Sequence, residues 1–277
     1  MKAALLQLNV SDDPKKNLVV TKARVAYAAA AGAGFVLTPE VTNCVSMQRA
    51  HQQDVLAFEH EDMTLQSLRA QASELKIWLL IGSLALKTDD PDGRFANRSF
   101  LIGPDAGIAA RYDKIHMFDV AVSKKETYRE SFGYRPGEEA GICTTPFAKI
   151  GMTICYDLRF PSLYRQLAKA GAEVLTIPSA FSPVTGAAHW ETLLRARAIE
   201  TGCYVLAPAQ TGTHAAQSGR QRTTYGHTMA INPWGEIEGE AGDTPGMVFI
   251  DIDRQKVIQA RSRIPSLHSE RDFAKPV

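Results

Sequence analysis

The chain has 277 residues, 45% hydrophobic and 22% charged, the composition of a globular protein with a sizeable core. Its 31 lysines and arginines are offset by 30 aspartates and glutamates, so no global field draws it to nucleic acid or to a membrane surface. The opening MKAALLQLNVSDD is too short an apolar run for a secretory signal, and no stretch reaches the length of a membrane span. Cys44, Cys143, Cys155 and Cys203 stand far apart and form no CxxC pair. That argues against zinc and against a disulfide framework, and it fits a reduced, cytoplasmic protein.

Taken in chain order, strand-like runs fall at 3–10, 35–40, 77–86, 98–104, 149–155, 173–180, 203–210, 227–233 and 246–253. Helical patterns separate several of them. Residues 13–31 open with Pro14 after Asp12 and Asp13 and close at Gly32. Residues 63–75 carry apolar side chains at 65, 68, 72 and 75. Residues 160–170 place Phe160, Leu163, Leu167 and Ala170 on one face, with Pro161 in the first turn and Gly171 at the end. Residues 189–201 align Trp190, Leu193, Leu194 and Ala198, with Glu191 and Arg195 spaced to pair. Strands alternating with helices predict an α/β fold, and so many strands predict two packed sheets in a single domain, 1–277. Two connections, 112–140 and 208–226, read as long, polar and irregular. Both follow strands and are expected to border a site.

Cys155 sits where a strand hands over to a helix, the usual position for ligands and chemistry in α/β sheets. A cysteine packing as a small hydrophobe is the commoner fate, so the rest of the chain must supply a reason for reactivity. Only a few per cent of a thiol of ordinary pKa is thiolate at neutral pH, and a nucleophilic cysteine needs a base or a positive neighbour. The seven histidines show no cysteine-protease pattern. Glu40, at the carboxyl end of an apolar strand, and Lys114, just beyond another, are the alternatives. Glu130 lies in the first long connection. Singly, Glu40 reads as a strand-end charge facing water, Lys114 as a surface residue beside Asp113, and Glu130 as one charge among many.

Together, LTPE, RYDKIHMFD, YRES and GMTICYDLRFP resemble the signature segments of the nitrilase superfamily, the carbon–nitrogen hydrolases. The likeness extends through NRSFLIGPDAG, PSAF, HWETLLRARAIET and YGHTMAINPWGE. It implies a four-layer α-β-β-α sandwich. It also implies Glu40 as general base, Lys114 as oxyanion stabiliser, Cys155 as nucleophile and Glu130 as a second glutamate positioning the lysine and the substrate. The N–H of Tyr156 is the expected second oxyanion donor, and the pKa of Glu40 is expected to be raised toward neutrality. The implied reaction splits a small amide into a carboxylate and ammonia through a thioester, with no metal or cofactor. The family usually forms homodimers or higher homo-oligomers through helices beside the site, and the tail at about 262–277 is a candidate for packing on a partner.

Nitrile, carbamoyl and amide hydrolysis share this core. The downstream segments look most like the amidases acting on deaminated glutathione, with the omega-amidases acting on 2-oxoglutaramate as the alternative. Either substrate is anionic and asks for a cation. Arg159 is the nearest in sequence, with Arg220 and Arg222 in the second connection as further candidates and Arg195 and Arg197 expected in ion pairs. Phe181 and Thr185, after a strand end, are expected to line the pocket. Two other classes remain open: a catalytically silent binding scaffold, which would be expected to lack one of the three key residues, and a thiol redox protein, which would want a resolving cysteine.

Overall fold

In a computed structural model that describes residues 1–123, 126–269 and 271–274, alternation of side chains sorts the first sheet into two cores. Ala3, Leu5, Phe35, Leu37, Leu80 and Leu101 point into one; Ala4, Leu6, Val36, Leu79, Ile81 and Phe100 point into the other. A strand with two buried faces must be covered on both. The covers are helices α1 (Pro14–Ala30), α2 (Arg49–Val55) and α3 (Met63–Leu75) on the first sheet's outer side, and a second sheet on its inner side. Beyond the second sheet lie α4 (Pro161–Lys169), α5 (Pro183–Thr201) and α6 (Arg254–Arg263). The result is the expected α-β-β-α order.

Each sheet has six strands, the middle ones parallel and the outer ones antiparallel. The first runs Gly246–Asp251, Lys2–Gln7, Phe35–Leu37, Trp78–Leu86, Ala96–Ile102, Ile108–Asp113. The second runs Ile237–Glu240, Met229–Ile231, Tyr204–Ala207, Val174–Thr176, Lys149–Met152, Gly141–Thr144. The parallel strands, Phe35–Leu37 beside Lys2–Gln7 and Trp78–Leu86, and Val174–Thr176 beside its neighbours, bring their carboxyl ends to one rim.

Several elements differ from expectation. Ile108–Asp113, Gly141–Thr144 and Ile237–Glu240 are edge strands with alternating or largely exposed faces, so they lack the apolar runs of the centre. α5 starts at Pro183 rather than 189, because Gly186 in its first turn hides the pattern. That glycine has a packing reason: a Cβ there would lie 2.2 Å from the Tyr225 ring. The two connections expected to be irregular each hold a short hairpin, Asp119–Ser123 with Glu126–Arg129 and Thr211–Thr213 with Thr223–Tyr225. In the tail, Leu267 is buried in this chain's own core, while residues 270 and 275–277 lie outside the described residues.

Candidate active site

The two sheets touch at their shared rim through Gly82. A Cβ there would lie 2.0 Å from the Thr38 carbonyl oxygen and 2.5 Å from Pro178 Cβ, so only glycine lets the chain after Leu37 meet the chain after Thr176. Glu40 is held across that contact. Its Oε2 accepts from the Ala180 N–H at 2.8 Å, its Oε1 from Asn97 Nδ2 and Lys114 Nζ, each at 2.9 Å, and its carbonyl from Gln210 Nε2 at 3.0 Å.

Lys114 follows the edge strand Ile108–Asp113 and turns inward, 2% exposed. Its ammonium lies 2.9 Å from Glu40 Oε1 and from both oxygens of Glu130. Glu130 is fixed from behind by the Phe118 N–H at 2.6 Å. Burial works against the Lys114 charge, but Glu130 and Glu40 outweigh it and hold the ammonium well above the usual lysine range.

Cys155 occupies the left-handed region at φ +49°, a strain of about 1–2 kcal/mol for a residue with a Cβ. Its N–H donates to the Pro178 carbonyl at 3.0 Å. Asp157, fully buried, stabilises the turn: it accepts from the Ile154 N–H, from Tyr112 Oη at 2.7 Å, and from the N–H of His116, whose ring nitrogen Nδ1 lies 2.6 Å away. Because His116 follows Lys114 by two residues, this acid ties the lysine segment to the cysteine turn. Arg197 adds a second tie, with two guanidinium nitrogens on the Leu158 carbonyl.

The Cys155 thiol and the Glu40 carboxylate lie close enough for each to shift the other's proton equilibrium. Burial, then the Glu40 charge, push the thiol up despite Lys114, so sulfur keeps its proton. Burial also pushes Glu40 up, but Lys114 and Arg222 together pull it below the usual carboxylate range. The expected elevation of Glu40 is therefore corrected: two nearby cations outweigh desolvation, and Glu130 spends its charge on Lys114. The resting pair is a neutral thiol beside an ionised acceptor.

These groups form the floor of a cleft of about 290 Å³. Phe181 lines it, as its place after a strand end suggested, and so does Tyr156. Arg159 and Thr185 do not. The Arg159 guanidinium lies 5.9 Å and 5.5 Å over the rings of Tyr156 and Phe181 and bonds His189, so it backs the wall instead of facing the interior. Thr185 Oγ1 donates to the Ser182 carbonyl in the first turn of α5. Arg195 and Arg197 pair with Glu191 and Glu200, as their helical spacing suggests. Arg220 is exposed, whereas Arg222 reaches the cleft. Sequence reasoning missed Asn97 and Asp157. A buried amide in the apolar strand Ala96–Ile102, and an acid two residues after the cysteine, were the available signals. Among the described residues, no helix is long and apolar enough to cross a membrane.

Comparison with known proteins agrees with this architecture. The family profile described as carbon-nitrogen hydrolase matches residues 2–262. A deaminated glutathione amidase of Yersinia enterocolitica is 39% identical over 97% of this chain and 92% of its own length. The human omega-amidase NIT2 is 34% identical over 97% of this chain and 94% of its own. The crystal structure of the Caenorhabditis elegans NitFhit protein superimposes with a TM-score of 0.90 at 35% identity. That match covers 98% of this chain and 65% of the longer worm protein.

Proposed function

The chain belongs to the carbon–nitrogen hydrolase family, hydrolases of carbon–nitrogen bonds other than peptide bonds, and on that premise we propose that Cys155, Glu40 and Lys114 cleave a small anionic amide through a thioester. One observation supports this above others: the Cys155 thiol, the Glu40 carboxylate and, 2.9 Å from that carboxylate, the Lys114 ammonium meet at the floor of one cleft.

The steps follow from the protonation states. As sulfur attacks the amide carbon, Glu40 takes the thiol proton, so a free thiolate never has to exist in a buried site. Negative charge develops on the carbonyl oxygen. The Lys114 ammonium and the Tyr156 N–H, near the start of the turn Cys155–Arg159, receive it, and each such donor is typically worth about 3–4 kcal/mol. Protonated Glu40 then passes its proton to the leaving nitrogen and the carbon–nitrogen bond breaks. A primary amide releases ammonia and a substituted amide releases an amine. Glu40 next takes a proton from water as the water oxygen attacks the thioester, the acid departs, and the thiol regains its proton. Glu130 acts as a positioning residue, keeping Lys114 charged and aimed.

The substrate is either deaminated glutathione, the compound in the bacterial relative's name, or an omega-amide such as 2-oxoglutaramate, in line with the human relative's name of omega-amidase. The protein works in the cytoplasm, where its four free cysteines stay reduced. It assembles as a homodimer or larger homo-oligomer, for which exposed Ile199, Trp234, Ile258 and Ile264 provide apolar surface. The test is a panel of deaminated glutathione, 2-oxoglutaramate, an aliphatic nitrile and an N-carbamoyl amino acid, assayed for acid product and released nitrogen. Turnover of one or both amides, well above the other two compounds, is the expected result. Preference for the nitrile or the carbamoyl compound would overturn the substrate assignment.

A further inference from the structure

We propose that Arg222 is the specificity-determining residue of the cleft, a guanidinium fork that pairs with a carboxylate on the same small molecule as the scissile amide. The inference rests on the amide-hydrolase reading above and names the feature by which the substrate is chosen.

Among the described residues four arginine and lysine side chains reach the cleft; two are engaged elsewhere and a third faces solvent. Lys114 is engaged by Glu40 and Glu130. Arg49 donates to the carbonyls of Phe132, Asp92 and Gly93. Arg129 is exposed on the hairpin Glu126–Arg129. Arg222 is half-buried, and among the described residues its guanidinium makes one hydrogen bond, from Nη2 to the Ala180 carbonyl at 2.6 Å. It has no carboxylate within ion-pair reach among the described residues. A guanidinium has five N–H donors in a planar fork, so most of its capacity is left for a bidentate partner.

Its position follows from its anchors. The Arg222 carbonyl accepts from the His214 N–H at 2.8 Å. His214 is itself pinned, with Nδ1 2.6 Å from the Val10 carbonyl and Nε2 2.8 Å from Thr224 Oγ1. The guanidinium lies 5.9 Å over the Tyr128 ring, an aromatic wall of the cleft. Ala180 sets the spacing: its N–H holds Glu40 while its carbonyl holds Arg222, so one residue separates the base from the fork. A carboxylate on Arg222 must therefore lie a short chain away from the carbon that Cys155 attacks. An amide whose carboxylate lies far from its carbonyl carbon does not fit both points, whatever the size of the leaving amine. The lowering of the Glu40 pKa by Arg222 agrees with this proximity.

The experiment compares 2-oxoglutaramate with its carboxylate methyl ester, which keeps the amide and removes the charge. Wild type should favour the free carboxylate in kcat/KM. In Arg222→Gln that preference should shrink about 10- to 100-fold, the range for a hydrogen-bonded charged contact, and Arg222→Lys should restore part of it. Arg129→Gln, an exposed charge at the same cleft, should change the preference less than about threefold, as expected for a screened surface charge. An unchanged preference in Arg222→Gln, or equal shifts in Arg222→Gln and Arg129→Gln, overturns the proposal. A wild type that hydrolyses the ester as well as the acid also overturns it, while leaving the amidase reading intact. A wild type inactive on every amide of the panel removes both.

Discussion

At the floor of the cleft every charge is answered from within the protein: Lys114 by two carboxylates, Glu40 by an amide, an ammonium and a backbone N–H, Glu130 by Lys114 and the Phe118 N–H. At the rim the charges are held but not neutralised. Arg222 leans on a carbonyl and an aromatic face, and Arg129 faces solvent. The floor is built for a reaction whose geometry must not change, because a buried charge without partners costs several kcal/mol. The rim leaves charge to be matched by whatever enters. The contrast separates residues that decide whether a bond breaks from residues that decide which molecule is admitted.

Substitutions at the floor should break the reaction outright. Cys155→Ala should reduce acid formation to the uncatalysed background, with an unchanged far-ultraviolet circular dichroism spectrum. Glu40→Gln keeps the shape and much of the hydrogen bonding but cannot accept the thiol proton, so kcat should fall by about 10²- to 10⁴-fold in steady-state assays. A rim substitution should act more gently, through the pH profile. Glu40 is an effective base only while ionised, and its pKa is depressed. The kcat/KM of wild type should therefore hold down to below the ordinary glutamate value of about 4.3 and fall only as pH drops through the depressed value. Arg222→Gln removes one of the two cations responsible, leaving Lys114, so the acid limb should move to higher pH. A limb that stays in place would mean that Arg222 and Glu40 do not sense each other.

The floor was far more legible in the sequence than the rim. Glu40 and Cys155 sit at the ends of apolar strands, and strand ends in a parallel sheet converge whatever the sequence distance between them. Lys114 follows an edge strand whose alternation was too weak to read, yet its local segment carried the resemblance. Asn97 was hidden because a single amide within an apolar strand does not reveal its partner: Glu40 is 57 positions away. At the rim, nearness along the chain misled. Arg159 is four residues from Cys155, but its 3-10 turn and the ring of Phe181 carry it behind the wall. Arg222 is 67 positions from Cys155 and arrives on a hairpin of three-residue strands, too short and too polar to show a period. Glu40's pKa direction was misjudged for the same reason, since the approach of Arg222 is a tertiary fact. The layers were readable because burial on two faces leaves continuous apolar runs. The edge strands and hairpins were not, because backbone pairing holds them together and leaves little mark on side-chain choice.

The central claim is that the acyl group passes through sulfur before it meets water. Hydroxylamine tests this directly, because a thioester can be captured by a stronger nucleophile than water. With wild type and an amide from the panel, hydroxamate should form in an enzyme-dependent reaction and replace acid as hydroxylamine rises, and none should form with Cys155→Ala. Acid as the sole product at every hydroxylamine concentration, with amide consumption undiminished, would contradict the account.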